Sequence, residues 1–155
     1  MNPMTMRAVS LGVVVAVWTA ISEMARVNLS LWPVIVALGC SLAAGGGIPG
    51  LQRTLAGTTS GVAWALVVHA VTRALGGQDL VQAVVLGGAA LGMVLQARVP
   101  LLSYTAGAFA GAGVAMGLRA VSLEGGVRVA IALAIGAALG YAAERIAPLM
   151  ASRRM

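Results

Sequence analysis

Charged side chains in this chain fall only at or near the ends of six apolar stretches, at about 6–24, 30–45, 55–75, 80–97, 100–118 and 127–147. A helix crossing the hydrocarbon core of a bilayer needs about 20 apolar residues, with roughly 17 as the lower limit. All six stretches come close to that length, several at the short end, and each is read as one short spanning helix, tilted or set in locally thinned lipid. Strands of a membrane barrel would instead need apolar and polar residues to alternate over about ten positions, and that alternation is absent. The expectation is an all-α integral membrane protein, a single transmembrane domain over residues 1–155 with about six short, glycine-rich transmembrane helices. With 60% hydrophobic and 9% charged residues, no segment is polar enough to fold as a separate soluble domain. The first stretch runs into Ser22-Glu23-Met24-Ala25-Arg26, which reads as a loop between two spans; it is expected to be a retained helix and not a signal peptide.

The basic residues number ten, all arginines. The resulting pI near 11.4 could point to nucleic acid, but the arginines are spread along the chain at span ends. Their plainer role is topology, and no nucleic-acid partner is expected. With the N-terminus inside, Arg7, Arg53, Arg98, Arg145, Arg153 and Arg154 lie on the cytoplasmic side, against Arg26, Arg73, Arg119 and Arg128 outside. That bias agrees with the positive-inside rule and places both termini in the cytoplasm. Cys40, the single cysteine, implies neither a disulfide framework nor a thiolate metal site.

Glycines four residues apart let membrane helices approach closely. Such pairs occur at Gly57/Gly61, Gly88/Gly92, Gly107/Gly111, Gly113/Gly117 and Gly136/Gly140, and they predict a tight bundle. Between spans two and three, Gly45-Gly46-Gly47-Ile48-Pro49-Gly50 must break the helix, since three glycines are entropically costly there and proline lacks the amide donor. A simple turn and a short re-entrant segment are both open, the second only where its backbone is buried in protein or lines water. The two halves of the chain also align weakly. Trp32-Pro33 falls on Val99-Pro100, Gly46 on Gly113 and Gly50 on Gly117; at other offsets Leu11-Gly12 falls on Leu86-Gly87 and Gly57/Gly61 on Gly136/Gly140. Three spans per half would make the repeats inverted, a plan that sets a site near the midplane beside interrupted helices. Glycine-rich sequence also aligns with itself by accident.

No catalytic constellation can be assembled. His69 has no second histidine or cysteine at ligand spacing, so no metal or other cofactor is expected. No acid lies deep in a span, because Glu23, Asp79 and Glu144 are near ends; the buried carboxylate of many proton-coupled carriers is missing. The polar chemistry left inside the spans is neutral. Trp18, Ser41, Ser60, Trp64, Ser103, Tyr104, Thr105 and Phe109 are the candidate lining of a solute route, with Ser103-Tyr104-Thr105 the densest cluster. Hydroxyls supply a donor and acceptors, and aromatic rings supply flat faces that can hold a cation. Serine and threonine also bond back to their own helix carbonyls, which is a packing role.

Trp18, Leu38-Gly39-Cys40, Ser60-Gly61-Val62-Ala63-Trp64-Ala65, Leu101-Leu102-Ser103-Tyr104 with Gly107, Phe109 and Gly111, and Leu139-Gly140-Tyr141 resemble, in this order, the YcdZ-like family of small bacterial inner-membrane proteins of unknown function. The resemblance implies a multi-pass bacterial inner-membrane protein and implies no activity. This chain departs from it in the 45–50 loop, where a cysteine-proline variant is expected, and at Tyr104, where phenylalanine is usual. The side chains lead to a channel or facilitator for a small polar neutral or cationic solute, urea-, amine- or guanidinium-like. A homo-oligomer is expected, because six short helices leave little room for an internal pore. The alternative is a non-transporting membrane protein that packs with or assembles a larger complex through its glycine faces.

Overall fold

The computed structural model describes residues 3–24 and 30–152. Arg26, Arg153 and Arg154, used above for topology, lie outside the described residues. Six α-helices form in chain order: α1 (Pro3–Met24), α2 (Leu31–Ala43), α3 (Gly47–Ala74), α4 (Asp79–Leu95), α5 (Thr105–Gly117) and α6 (Leu123–Ser152). Among the described residues there is no strand. Among the described residues three helical segments are long and apolar enough to cross a membrane, Gly47–Ala74, Asp79–Arg98 and Leu123–Pro148; three apolar segments are shorter, Ala8–Met24, Leu31–Ala43 and Thr105–Gly117. Such helices are compatible with a membrane protein, with fewer full-length candidates than the six stretches predicted.

Two boundaries differ from the expected ones for local reasons. The stretch expected at 100–118 becomes α-helix only at Thr105. Val99 is extended (φ −87°, ψ 120°), as the residue before a proline tends to be, and Pro100–Leu102 closes a single 3-10 turn after another at Gln96–Arg98. The third helix begins at Gly47, well before the expected 55. The break between α2 and α3 is confined to a tight turn in which Gly45, Gly46 and Gly47 all have positive φ, a conformation glycine adopts without strain. Pro49 then falls in the first turn of α3, where its missing N–H has no partner to lose.

α3 and α6 are the long central pair, in contact with each other; α5 packs along α3, and α2 along α6. α1 lies against α6 and α4 against α3, both at the periphery. The interior is built largely from small side chains, including Ala37, Ala65, Ala108, Ala112, Ala115, Ala132 and Ala137, around the fully buried Leu133 and Val34. Small residues let backbones meet. A Cβ on Gly61 would overlap the Ala108 carbonyl of α5, and one on Gly111 the Thr58 carbonyl of α3. Gly57 and Gly107 share this seam: a Cβ on Gly57 would stand 2.8 Å from Tyr104 O and 3.4 Å from Gly107 Cα. On the other side of the molecule, Gly136 and Gly140 of α6 sit against Val34 O and Ser41 of α2. Gly92 accommodates the Trp64 ring and Gly117 lies beside the Trp32 ring, whereas Gly88 and Gly113 meet nothing within 4 Å. Those last two face outward.

The outside is apolar. Val9, Val13, Val17 and Ile21 form an exposed stripe on α1, and Leu80, Val84, Leu91, Val94 and Leu95 an exposed face on α4.

Candidate functional site

The helix packing brings three groups of polar side chains together; the predicted route residues fall in two of them, except Trp18 and Phe109, which join neither. At the α3–α4 contact, Trp64 Nε1 donates to Gln96 Oε1 at 3.0 Å, and Gln96 Nε2 donates to Ser60 Oγ at 3.1 Å. Ser60 Oγ in turn donates to Gly57 O at 2.8 Å. Every polar group in this chain of bonds has a partner, so Ser60 and Trp64 are tied to each other through Gln96. Gln96 was not among the sequence candidates. Its one signal is an amide at the end of an otherwise apolar helix.

At the end of the bundle where α3 begins, Tyr104 donates its hydroxyl to the Cys40 carbonyl at 3.1 Å, bridging α5 to α2. Its ring covers Gly107 and Gly57. Ser103 is exposed and donates to Pro100 O at 2.8 Å, and Thr105 is bonded to Ser103 O at 3.5 Å. The dense Ser103-Tyr104-Thr105 cluster is thus satisfied within its own turn and by α2. Ser41 is buried and bonds back to Leu38 O at 2.8 Å. Trp18 is half-buried on α1, and Phe109 is exposed on α5. Phe109 lines an open, nearly all-apolar groove of about 610 Å³ between α4 and α5 with Leu86, Gly87, Met93 and Gly113. At this same end, Glu144 Oε2 accepts the Gly47 N–H at 2.6 Å, a carboxylate from α6 on the N-terminus of α3, where the helix dipole favours negative charge. Arg145 donates to Tyr141 OH at 2.9 Å and lies over its ring.

The opposite end is different. A cavity of about 350 Å³ opens between α3, α4 and α5, within the lower range of small-ligand sites. Its wall is one face of α3, Ala65, Val68, His69 and Thr72, at the three- and four-residue spacing that puts side chains on one side of a helix. Ala115 and Met116 of α5 complete it, and the exposed Arg73, Gln82 and Arg119 form its rim. Among the described residues three buried side-chain atoms lack a hydrogen-bond partner: Thr54 Oγ1, His69 Nε2 and Thr72 Oγ1. Two of the three line this cavity. Thr72 is 8% exposed. Other helical hydroxyls, those of Thr19, Ser41, Thr58, Thr59 and Ser60, all bond back to a carbonyl three or four residues earlier. Thr54 and Thr72 depart from this pattern; a buried hydroxyl with no partner is costly, about 1–3 kcal/mol, and of the two only Thr72 belongs to the cavity lining.

Arg119 is the sole non-glycine residue with positive φ among the described residues, at 51°. It follows the α5 C-cap, Leu118. Ala120 N bonds to Ala115 O at 2.9 Å and Arg119 N to Met116 O at 3.0 Å, the Schellman pattern, whose left-handed position is usually glycine. A second cavity of about 250 Å³, lined by Ser30, Pro33, Ser122 and Arg128 among others, lies on the other side of Arg119. Arg128 there is paired with Glu124 at 2.6 Å.

Residues 8–148 match a family described as a protein of unknown function (DUF1097), and the chain belongs to that family. This agrees with the resemblance to a family of unknown function drawn from the sequence. No curated protein and no solved structure matches the chain.

Proposed function

We propose that this chain is a multi-pass protein of the bacterial inner membrane that admits a small polar solute through the cavity between α3, α4 and α5. The observation that carries this reading is a cavity of ligand size whose lining includes His69 and Thr72, two residues with a buried, unpartnered polar atom each, below two arginines at the rim. The exposed apolar stripes on α1 and α4 suit lipid, where they carry none of the penalty that water would impose. The arginine distribution, with the N-terminus inside, puts both termini in the cytoplasm and this cavity on the outer side.

An inverted repeat of three helices fits the packing. Exchanging α1, α2 and α3 for α4, α5 and α6 turns the α3–α5 seam into the α6–α2 seam and the α1–α6 contact into the α4–α3 contact. The exchange pairs the short helices α2 and α5, and Gly57/Gly61 with Gly136/Gly140, which supports the reading; it does not pair Gly46, in the α2–α3 turn, with Gly113, inside α5. Short or interrupted helices in corresponding places are where such repeats hold their sites, and α5 borders the cavity. The route thereby shifts from Ser103, Tyr104 and Thr105, whose groups are already bonded, to the α3 face. Rim arginines disfavour amines and guanidinium ions, so neutral amides such as urea and small anions are the solutes this mouth suits.

Reconstitution into liposomes tests the reading. Flux of urea or acetate above that of protein-free liposomes is expected, and no permeation of either, nor of methylamine, would sink it. A second reading, assembly with another copy or another membrane protein, is favoured by the outer face of α4, where Gly87 and Gly88 are open beside the apolar groove. Gly88→Leu would then change the particle mass in detergent while leaving flux intact; unchanged mass counts against it.

A further inference from the structure

The charged groups of the cavity are all cationic. The Arg73 and Arg119 guanidiniums have donors only, and the Thr72 hydroxyl, the His69 imidazole and the Gln82 amide can each donate or accept. No carboxylate lines it; Asp79, one turn before Gln82 at the start of α4, is outside the lining. Neither guanidinium has an ion pair or hydrogen bond among the described residues, while Arg128 nearby is neutralised by Glu124. Two unpaired guanidiniums at the rim above a partly apolar wall of Ala65, Val68, Ala115 and Met116 are complementary to an oxyanion on a small body.

We propose that this cavity binds a carboxylate- or phosphate-type oxyanion, held at the rim by Arg73 and Arg119 and inside by His69 and Thr72. The inference deepens the functional reading above, resting on the same cavity, and it names the ligand chemistry. Arg73 also lies in the last turn of α3, where a cation complements the helix dipole, and that alone would explain its position. The dipole explains neither the unpartnered imidazole and hydroxyl below it nor Arg119. At Arg119 the backbone occupies a left-handed position that glycine would fill without strain, and the chain keeps a long cationic side chain there instead.

That geometry supplies variants that should fold at least as well as the parent. Arg119→Gly keeps the turn and relieves the left-handed strain; Thr72→Val keeps the shape and removes the orphan hydroxyl. The full chain in detergent is titrated with inorganic phosphate and with acetate, at constant ionic strength, while thermal unfolding is followed. Expected is a saturable rise in Tm for the parent with at least one of the two anions. Arg119→Gly and Thr72→Val should each bind about tenfold or more weakly, the loss of one hydrogen bond to a charged group, with an anion-free Tm equal to or above the parent's. Native mass spectrometry of the same samples separates the sources of the oxyanion. Phospholipid retained by the parent and lost from Arg119→Gly identifies a lipid headgroup, and anion binding by delipidated protein identifies a free solute. Either supports the proposal. If parent and variants respond alike to both anions and retain the same lipid, it is overturned. Binding in detergent requires no flux, so anion binding without permeation would leave this inference standing and remove transport, and urea flux without anion binding would do the reverse.

Discussion

Gly61→Ala tests the closest approach in the molecule. The new Cβ would stand 2.7 Å from Ala112 N and 2.8 Å from Ala108 C, with the Ala108 carbonyl oxygen nearer still, against ordinary contact beginning at 3.4 Å. All three are backbone atoms, which cannot swing aside as a side chain can. α3 and α5 must therefore separate by about 0.7 Å or more, and a radial gap of that size forfeits roughly a quarter to a half of the dispersion attraction at each contact along the seam. The net cost expected is about 1–3 kcal/mol, the range for overpacked interiors, after a gain in helix propensity of up to about 1 kcal/mol. For a chain of this size that is a fall in Tm of about 2–12 °C. Thermal unfolding in detergent, followed by helical circular dichroism, reads it. Gly113→Ala is the matched control, because its Cβ meets nothing within 4 Å; its Tm should hold or rise. Gly61→Ala combined with Gly111→Ala should cost less than the sum, since one separation relieves both overlaps. Equal melting of Gly61→Ala and Gly113→Ala, within about 1 °C, would refute the seam as the source of stability.

Gln96→Leu removes both the acceptor for Trp64 Nε1 and the donor to Ser60. In a Trp18→Phe, Trp32→Phe background, Trp64 emission should shift and stability fall by about 1–3 kcal/mol; an unchanged spectrum would show that the bond is not made. Glu144→Gln leaves a neutral acceptor at the start of α3. Faster amide exchange over 47–50 is expected, with a loss of about 0.3–1 kcal/mol, and unchanged exchange would refute the cap. Tyr104→Phe deletes the bond to the Cys40 carbonyl but keeps the ring over Gly57 and Gly107, so a loss of about 0.5–1.5 kcal/mol is expected from denaturation midpoints. A larger loss would mean that the ring had moved.

Helix existence was legible because it depends on local properties: apolar runs, the absence of alternation, and breakers such as the 45–50 glycines. The glycine spacing was legible as well, but not its direction. Gly57 and Gly61 face α5, while Gly113, with the same spacing to Gly117, faces open space. A four-residue interval defines a helix face and leaves the neighbour on that face unspecified.

The remainder was decided by the tertiary structure alone. Thr58 and Thr72 are the same residue type in one helix, yet Thr58 bonds back to Thr54 O at 2.7 Å and Thr72 has no partner at a cavity wall. Trp64 and Ser60 gained their meaning from Gln96 just after α4, and His69 and Thr72 theirs from Arg119 just after α5. The sequence by itself determined an all-helical chain with apolar helices closely packed through small residues, since propensity and hydrophobicity act over a few neighbouring positions. Which polar groups are satisfied, and which are left without a partner, depends on side chains brought together from distant positions, and only the packed helices decide that.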